Sequence, residues 1–147
     1  MANKIILLVE DNADDEVLTL RALKKSNVVN ELVVVRDGVE ALDYVFTRGE
    51  HAGRDRSQSP AVVLLDLKLP KLSGLEVLKE IRTDPVTMRM PVVILTSSKE
   101  DQDLLDGYGY GCNSYIRKPV NFDNFVTAIS QLGMYWLVLN EPPPPGN

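Results

Sequence analysis

The stretch AVVLLDLKLPKLSG, residues 61–74, opens with five consecutive apolar residues and breaks at an acid, Asp66, into a turn-rich connection. Five apolar residues in a row suit a strand buried on both faces, because a half-exposed strand would alternate apolar with polar. The pattern recurs on either side, as IILLV at 5–9, LVVV at 32–35, VVIL at 92–95 and, more weakly, SYI at 114–116. Between these runs apolar residues fall three and four apart: Val17, Leu20 and Leu23 with Leu18; Val39, Leu42 and Phe46; Leu75, Leu78 and Ile81 with Val77. That spacing predicts amphipathic helices. A fourth helix, over 99–108, is poorly specified, since Gly107 and Gly109 each cost about 1 kcal/mol against alanine in a helix interior. A fifth starts at Asn121, a good cap, with Phe122, Phe125, Val126, Ile129, Leu132 and Trp136 on one face. Doubly buried strands alternating with helices require a parallel sheet covered on each side, so the expected class is α/β, doubly wound.

The 147 residues amount to one domain at roughly 150 per domain, expected over 1–140, with a proline-rich flexible tail at 141–147. A hydrophobic fraction of 44% and a charged fraction of 25% exclude a disordered or fibrous chain. The net charge of -5 gives no general attraction to nucleic acid or anionic lipid, so neither is expected as a partner. The longest apolar runs, 5–9 and 134–139, fall far short of the roughly 18–20 residues of a membrane span, and the N-terminal run is too short for a signal-peptide core. A cytoplasmic location is expected. Cys112 is the sole cysteine, which rules out an intrachain disulfide and reads as a buried thiol.

Three segments lie outside the regular pattern. Residues 48–60 form a long polar connection, an insertion or binding loop in which His51, Arg54 and Arg56 are expected to be solvated. The end of the last helix, MYWLVL at 134–139, is apolar nearly all round, so one of its faces lacks cover. Trp136 divides evenly between core and partner interface. The run PPPP at 142–145 cannot continue a helix and should be extended.

Function in open parallel sheets gathers at the carboxyl ends of the strands. Here those ends carry Glu10 and Asp11 after the first run, Asp66 after the third, Thr96 after the fourth and Lys118 after the fifth. Converging carboxylates repel one another unless a cation intervenes, and a magnesium ion, bound through few protein oxygens and a phosphate, fits. Asp66 can then act as a nucleophile that forms an aspartyl phosphate, with Lys118 completing the clamp. Taken singly, each acid reads as a helix cap or loop acid; their joint placement at strand ends favours the chemical reading.

The chain resembles the receiver domains of two-component response regulators, through five ordered blocks: ILLVED at 6–11, VLLDLKLPKLSG at 63–74, VILTS at 93–97, GCNSY at 111–115 and YIRKP at 115–119. The resemblance implies a flavodoxin-like receiver fold, with five parallel strands in the order 2-1-3-4-5 and five helices. It implies that Asp66 takes a phosphoryl group from a histidine kinase, and that Glu10, Asp11, Asp66 and the backbone carbonyl of Lys68 hold Mg2+. Lys118 and Thr96 would bind the phosphoryl group, and the Lys118–Pro119 bond would be cis. Thr96 and Tyr115 would form the switch that alters the face of the fourth helix, fifth strand and fifth helix. Read without the family, Tyr115 is also an ordinary strand-edge aromatic. Glu10 in place of aspartate, Cys112 in place of alanine and an unexpected Gly109 depart from the pattern without removing a required group.

The loop at 48–60 and the aromatic end of the last helix further resemble small response regulators that pair with phytochrome histidine kinases. The protein would then be a phosphoacceptor and not a turnover enzyme. The apolar helix end suggests a homodimer through Tyr135, Trp136 and Leu139. Two rivals share the architecture. Magnesium-dependent phosphohydrolases carry a second aspartate two residues after the nucleophile, where this chain has Lys68, and a nucleotide or flavin binder would need a glycine-rich cradle after the first strand. A receiver that only docks proteins is disfavoured because every phosphorylation group is present.

Overall fold

The computed structural model describes residues 4–25, 30–118 and 121–144. Five strands, β1 (Lys4–Val9), β2 (Asn30–Val35), β3 (Val62–Leu65), β4 (Val92–Thr96) and β5 (Ser114–Arg117), alternate with α1 (Ala13–Lys25), α2 (Gly38–Val45), α3 (Gly74–Thr83), α4 (Asp101–Gly109) and α5 (Phe122–Met134). All pairings are parallel, in the order β2-β1-β3-β4-β5. The fold is the doubly wound α/β architecture that the apolar runs imply, with the strand order that the resemblance implies.

Successive strand side chains point to opposite faces, and both faces are dry. Leu7, Val9, Val63, Leu65 and Ile94 pack against Leu42 and Val45 of α2 and Val77, Leu78 and Ile81 of α3. Ile6, Leu8, Leu64, Val93 and Leu95 pack against Ala22 and Leu23 of α1 and Phe125 and Ile129 of α5. The helices begin where side chains satisfy their first N–H groups. Asn12 Oδ1 accepts from Asp15 N at 3.0 Å, and Asp37 Oδ1 accepts from Glu40 N at 2.7 Å. Ser73 accepts from Glu76 N at 3.2 Å, and Asn121 accepts from Asp123 N and Asn124 N. The first residue of α4 has no such cap, in keeping with its weak sequence signal.

Several expectations need correction. The last helix does not run unbroken to Leu139: α5 ends at Met134 and residues 135–139 form a wider π turn, closed by Asn140 N donating to Tyr135 O at 2.7 Å. Trp136 and Leu137 both pack into the α1/α5 side of the core, so this end supplies part of its own cover. Tyr135 and Leu139 stay outside, 49% and 69% exposed, and Trp136 is no longer available to a partner. On α1 the buried stripe is Thr19, Ala22 and Leu23, while Val17 and Leu20 face solvent. Thr19 tolerates burial because its hydroxyl donates to Asp15 O at 2.7 Å.

The connection at 48–60 is an organised loop. Arg54 donates to Tyr44 O from Nε and Nη2 at 3.1 and 2.9 Å and to Gln58 O from Nη1 at 2.6 Å, and its guanidinium lies 4.2 Å from the Tyr44 ring centre. His51 meets the same ring edge-on and sits 3.6 Å from Glu40 Oε2. Both side chains are half-buried and anchored on the loop rather than free in solvent; Arg56 is exposed as expected. Pro142, Pro143 and Pro144 lie with Lys4, Arg89 and Trp136 around a cavity of about 680 Å³ at the amino ends of the strands. Gly146, Asn147 and the Lys118–Pro119 bond lie outside the described residues.

Gly74 holds α3 against the Asp66 loop, where an added Cβ would sit 2.1 Å from Asp66 O and 2.7 Å from Leu67 Cα. A Cβ on Gly109 would meet nothing within 4 Å. Gly74→Ala should therefore cost about 3 kcal/mol, the upper range for overpacking. Gly109→Ala should gain about 0.5–1 kcal/mol, the helix-propensity difference. Urea midpoints that move in opposite directions are the expected result; a common direction would contradict this account of the two sites.

Candidate functional site

The sheet ladder continues one step past the strands, and this step places the chemistry. Glu10 N donates to Val35 O at 3.0 Å, Asp66 N to Val9 O at 3.1 Å and Lys118 N to Thr96 O at 2.7 Å. Glu10, Asp66, Thr96 and Lys118 thus emerge side by side at the carboxyl edge. Glu10, Asp66 and Thr96 are buried, at 2%, 8% and 0% exposure, while Asp11 is exposed and opens the cluster to solvent.

The two oxygens of Asp66 have different surroundings. Oδ1 accepts from Leu67 N at 2.7 Å, from Thr96 Oγ1 at 3.0 Å and, more weakly, from Lys68 N at 3.4 Å. Oδ2 accepts from Lys118 Nζ at 3.0 Å. The same ammonium donates to Glu10 Oε1 at 2.6 Å and to Asp15 Oδ2 at 2.7 Å. Oxygens of Glu10, Asp11 and Asp66 lie within 4.8 Å of one another, a spacing one divalent cation could bridge.

One cation among these acids cannot neutralise all of them. Burial alone would raise the Asp66 pKa, but the charge and hydrogen bond of Lys118 outweigh it, and the carboxyl is held below its ordinary value. Glu10 goes the other way: burial, reinforced by the charge of Asp66, lifts it to about 7 against the pull of Lys118. For Lys118, burial favours the neutral amine, yet its bonds to Asp15 and Glu10 and the charge of Asp66 raise its pKa and keep it an ammonium. The site therefore presents an anionic, hydrogen-bonded Asp66 beside a fixed positive charge, with a further cation's worth of negative charge unbalanced.

Behind Thr96 a second set of contacts leads to α4. Ser98 N donates to Thr96 Oγ1 at 3.3 Å, and Ser98 Oγ donates to Asp103 Oδ2 at 2.6 Å. The Tyr115 hydroxyl is buried without a hydrogen-bond partner among the described residues. Its ring lies across Gly107, where a Cβ would come within 3.1 Å of it. Burial, then the nearby Asp103, raises the phenol pKa.

Every strand-end residue singled out from the sequence converges here except Tyr115, which sits one layer behind. Asp15 and Ser98 were missed. Asp15 lies four residues after Asp11, a helical spacing that returns it to the same side, but the acid run DNADD reads first as helix capping.

The family model described as the response regulator receiver domain matches residues 6–130. The chain belongs to the response regulator receiver family. It is 38% identical to response regulator Rcp1 of Synechocystis over 134 residues, 91% of this chain and 89% of that protein. The crystal structure of the Mn(2+)-bound form of Rcp1 superposes with a TM-score of 0.89 at 36% identity, covering 96% of this chain and 99% of that one. The phosphorylated cyanobacterial phytochrome response regulator RcpA gives a TM-score of 0.90 at 40% identity, over 97% of this chain and 100% of that one. The bacteriophytochrome response regulator RtBRR is 52% identical with a TM-score of 0.77, over 97% of this chain and 86% of that one. Receivers of this family act as phosphoryl acceptors and bind a divalent metal. Among the described residues no helix is long and apolar enough to cross a membrane.

The raised pKa of Glu10 fixes two pH trends. The folded, metal-free protein keeps a proton near pH 7 that the unfolded chain releases above about 4.5, so stability falls as pH rises from about 4.5 through about 7. A divalent cation held by this carboxylate would bind more tightly over the same upper range, with release of about half a proton per ion near pH 7. Calorimetry of Mg2+ binding in buffers of different ionisation enthalpy measures this; Glu10→Gln should abolish the release, and proton-free binding by the native chain would contradict the assignment.

Proposed function

We propose that this response regulator accepts a phosphoryl group on Asp66 from a histidine kinase of the phytochrome type. The observation that carries the reading is the pair of contacts on Asp66: Lys118 Nζ at 3.0 Å from Oδ2 and Thr96 Oγ1 at 3.0 Å from Oδ1. Together they hold the carboxylate ionised and aimed. An Asp66 oxygen attacks the phosphorus of the kinase phosphohistidine, the P–N bond breaks, and the imidazole leaves with the electron pair and is then protonated. Lys118 keeps its proton and moves its hydrogen bond to a phosphoryl oxygen, while Thr96 offers a second donor to the same group.

Glu10, Asp11, Asp66 and the Lys68 carbonyl are the residues that would hold Mg2+. The converging carboxylates and the burdened Glu10 suit that ion, which supplies positive charge to offset the charge of the phosphoryl group. The protein is a phosphoacceptor and not a turnover enzyme. The phytochrome assignment draws support from the likeness of nearly the whole chain to the cyanobacterial phytochrome response regulator RcpA and the bacteriophytochrome response regulator RtBRR.

Thr96 and Tyr115 are the switch in this reading, and the face of α4, β5 and α5 is the output. That face carries Leu105 at 67%, Tyr108 at 56% and, beyond α5, Tyr135 and Leu139 at 49% and 69% exposure, enough apolar surface to favour a homodimer.

Two measurements test the proposal. Incubation with Mg2+ and acetyl phosphate should add one phosphate to the intact mass of the native chain and none to Asp66→Ala; labelling of both would move the acceptor elsewhere. Transfer from a phytochrome-type kinase should outpace transfer from other kinase classes, and the reverse order would remove the phytochrome assignment. Separately, the double substitution Tyr135→Asp with Leu139→Asp should yield a monomer in sedimentation, and an unchanged mass would overturn the dimer.

A further inference from the structure

A lysine ammonium has three N–H groups in fixed tetrahedral relation, so fixing two of them aims the third. Lys118 uses all three, on Glu10 Oε1 at 2.6 Å, Asp15 Oδ2 at 2.7 Å and Asp66 Oδ2 at 3.0 Å. These acceptors differ in what else they do. Glu10 belongs with Asp11 and Asp66 to the cluster that could bridge a cation, whereas Asp15 stands outside it. When the cluster engages a cation, the Glu10 bond to Lys118 weakens. When Asp66 is esterified, its oxygen ceases to be an anionic acceptor. The bond to Asp15 is the one that persists through both events.

Asp15 is itself fixed. Its N–H donates to Asn12 Oδ1 at 3.0 Å, its carbonyl accepts from Thr19 Oγ1 at 2.7 Å, and Thr19 is buried at 1% exposure. The backbone that carries the carboxylate is therefore fixed on the first turn of α1, with the carboxylate itself on Lys118. The lysine it holds has a long flexible stem that would be free to swing once its other two partners let go.

We infer that Asp15 is a positioning residue for phosphoryl transfer, tethering Lys118 through a hydrogen bond so that its ammonium stays aimed at the group arriving on Asp66. The inference rests on the reading of Asp66 as phosphoacceptor. With acetyl phosphate as donor, the Asp66 O–P bond forms, the acetyl O–P bond breaks and acetate leaves with the electron pair. One Lys118 N–H passes from the Asp66 carboxylate to a phosphoryl oxygen, and the N–H to Asp15 does not move. Asp15 touches neither the phosphorus nor the cation cluster, and acts only through Lys118.

The test compares native chain, Asp15→Ala and Asp15→Asn, with initial phosphorylation rates by intact mass over a series of acetyl phosphate concentrations and Mg2+ affinity by calorimetry. Asp15→Ala should lower the second-order rate about tenfold, the scale of losing one oriented contact, with Mg2+ affinity unchanged within about twofold. Asp15→Asn, which keeps an acceptor oxygen without the charge, should restore the rate to within about threefold of native. If Asp15→Ala fails to fold, Asp15→Ser, whose hydroxyl is too short to reach Nζ, takes its place under the same criteria. Equal rates for native chain and Asp15→Ala would overturn the inference. So would Asp15→Asn as slow as Asp15→Ala, or faster than native, since the charge and not the tether would then matter. A native chain that takes no phosphate from either acetyl phosphate or a kinase would instead sink the reading on which the inference stands.

Discussion

The carboxyl edge of this receiver is organised around one buried ammonium. Lys118 is paired with Glu10, Asp15 and Asp66, and its side chain is only 9% exposed. Taking that charge out of water costs several kcal/mol, and only multiple close carboxylates can offset it. The acids depend on it equally, because without the cation they would repel one another and shed their charge by protonation. Asp66 remains a carboxylate through this contact. Glu10, more deeply placed and less fully compensated, does not remain fully ionised at neutral pH. The two acids on one ammonium thus differ in charge: Asp66 is held ionised, and Glu10 keeps a share of its proton near neutral pH.

Such a cluster is stable only if the backbone supplies the convergence beforehand. Parallel pairing does so, because every strand ends at the same edge and the ladder runs on through Glu10 N, Asp66 N and Lys118 N. The Asp66 loop is held from below by α3, where Gly74 N donates to Leu67 O at 2.8 Å. The absence of a side chain at Gly74 allows that approach, and Ser73 caps the helix that follows. Two dry faces make the sheet stiff enough to carry the burden, since the layers of α1/α5 and α2/α3 leave the central strands no solvent-side freedom. Stability resides in the apolar runs, and the acids occupy the one edge those runs leave open.

This division explains what could be read from the sequence. Doubly buried strands such as VVLL at 62–65 are legible because nothing else tolerates consecutive β-branched and aliphatic residues bounded by an acid. The residue after each run is legible for the same reason, since its position follows from the strand and needs no side-chain detail. Asp15 was not legible, because its role depends on how α1 leans over the edge, and local sequence offers capping as a sufficient explanation. Thr19 defeats the apolar stripe on α1 for a related reason: a hydroxyl that bonds back to Asp15 O can be buried while Val17 is not. Arg54 and His51 read as solvated because charged loop residues usually are, and only the Tyr44 ring beneath them reverses that. Trp136 lies buried on the stripe that the periodicity marks, whereas Leu137, off that stripe, is buried in a π turn that no side-chain periodicity announces.

The path from Asp66 to the protein surface follows the same logic of shared protons. Thr96 Oγ1 has one proton, which it gives to Asp66 Oδ1, and it accepts in turn from Ser98 N. Ser98 Oγ gives its proton to Asp103 in the first turn of α4, a helix with no side-chain cap of its own. A phosphoryl group on Asp66 would compete for the Thr96 proton with stronger acceptors than a carboxylate offers. Any movement of Thr96 would disturb Ser98, whose hydroxyl bonds both Asp103 and Glu100 N at the start of α4. Beside this chain the buried Tyr115 hydroxyl has no hydrogen-bond partner among the described residues, with Ser98 and Asp103 close by. That hydroxyl and a helix start without a side-chain cap thus meet close to Asp66, and the exposed Leu105 and Tyr108 lie on that helix.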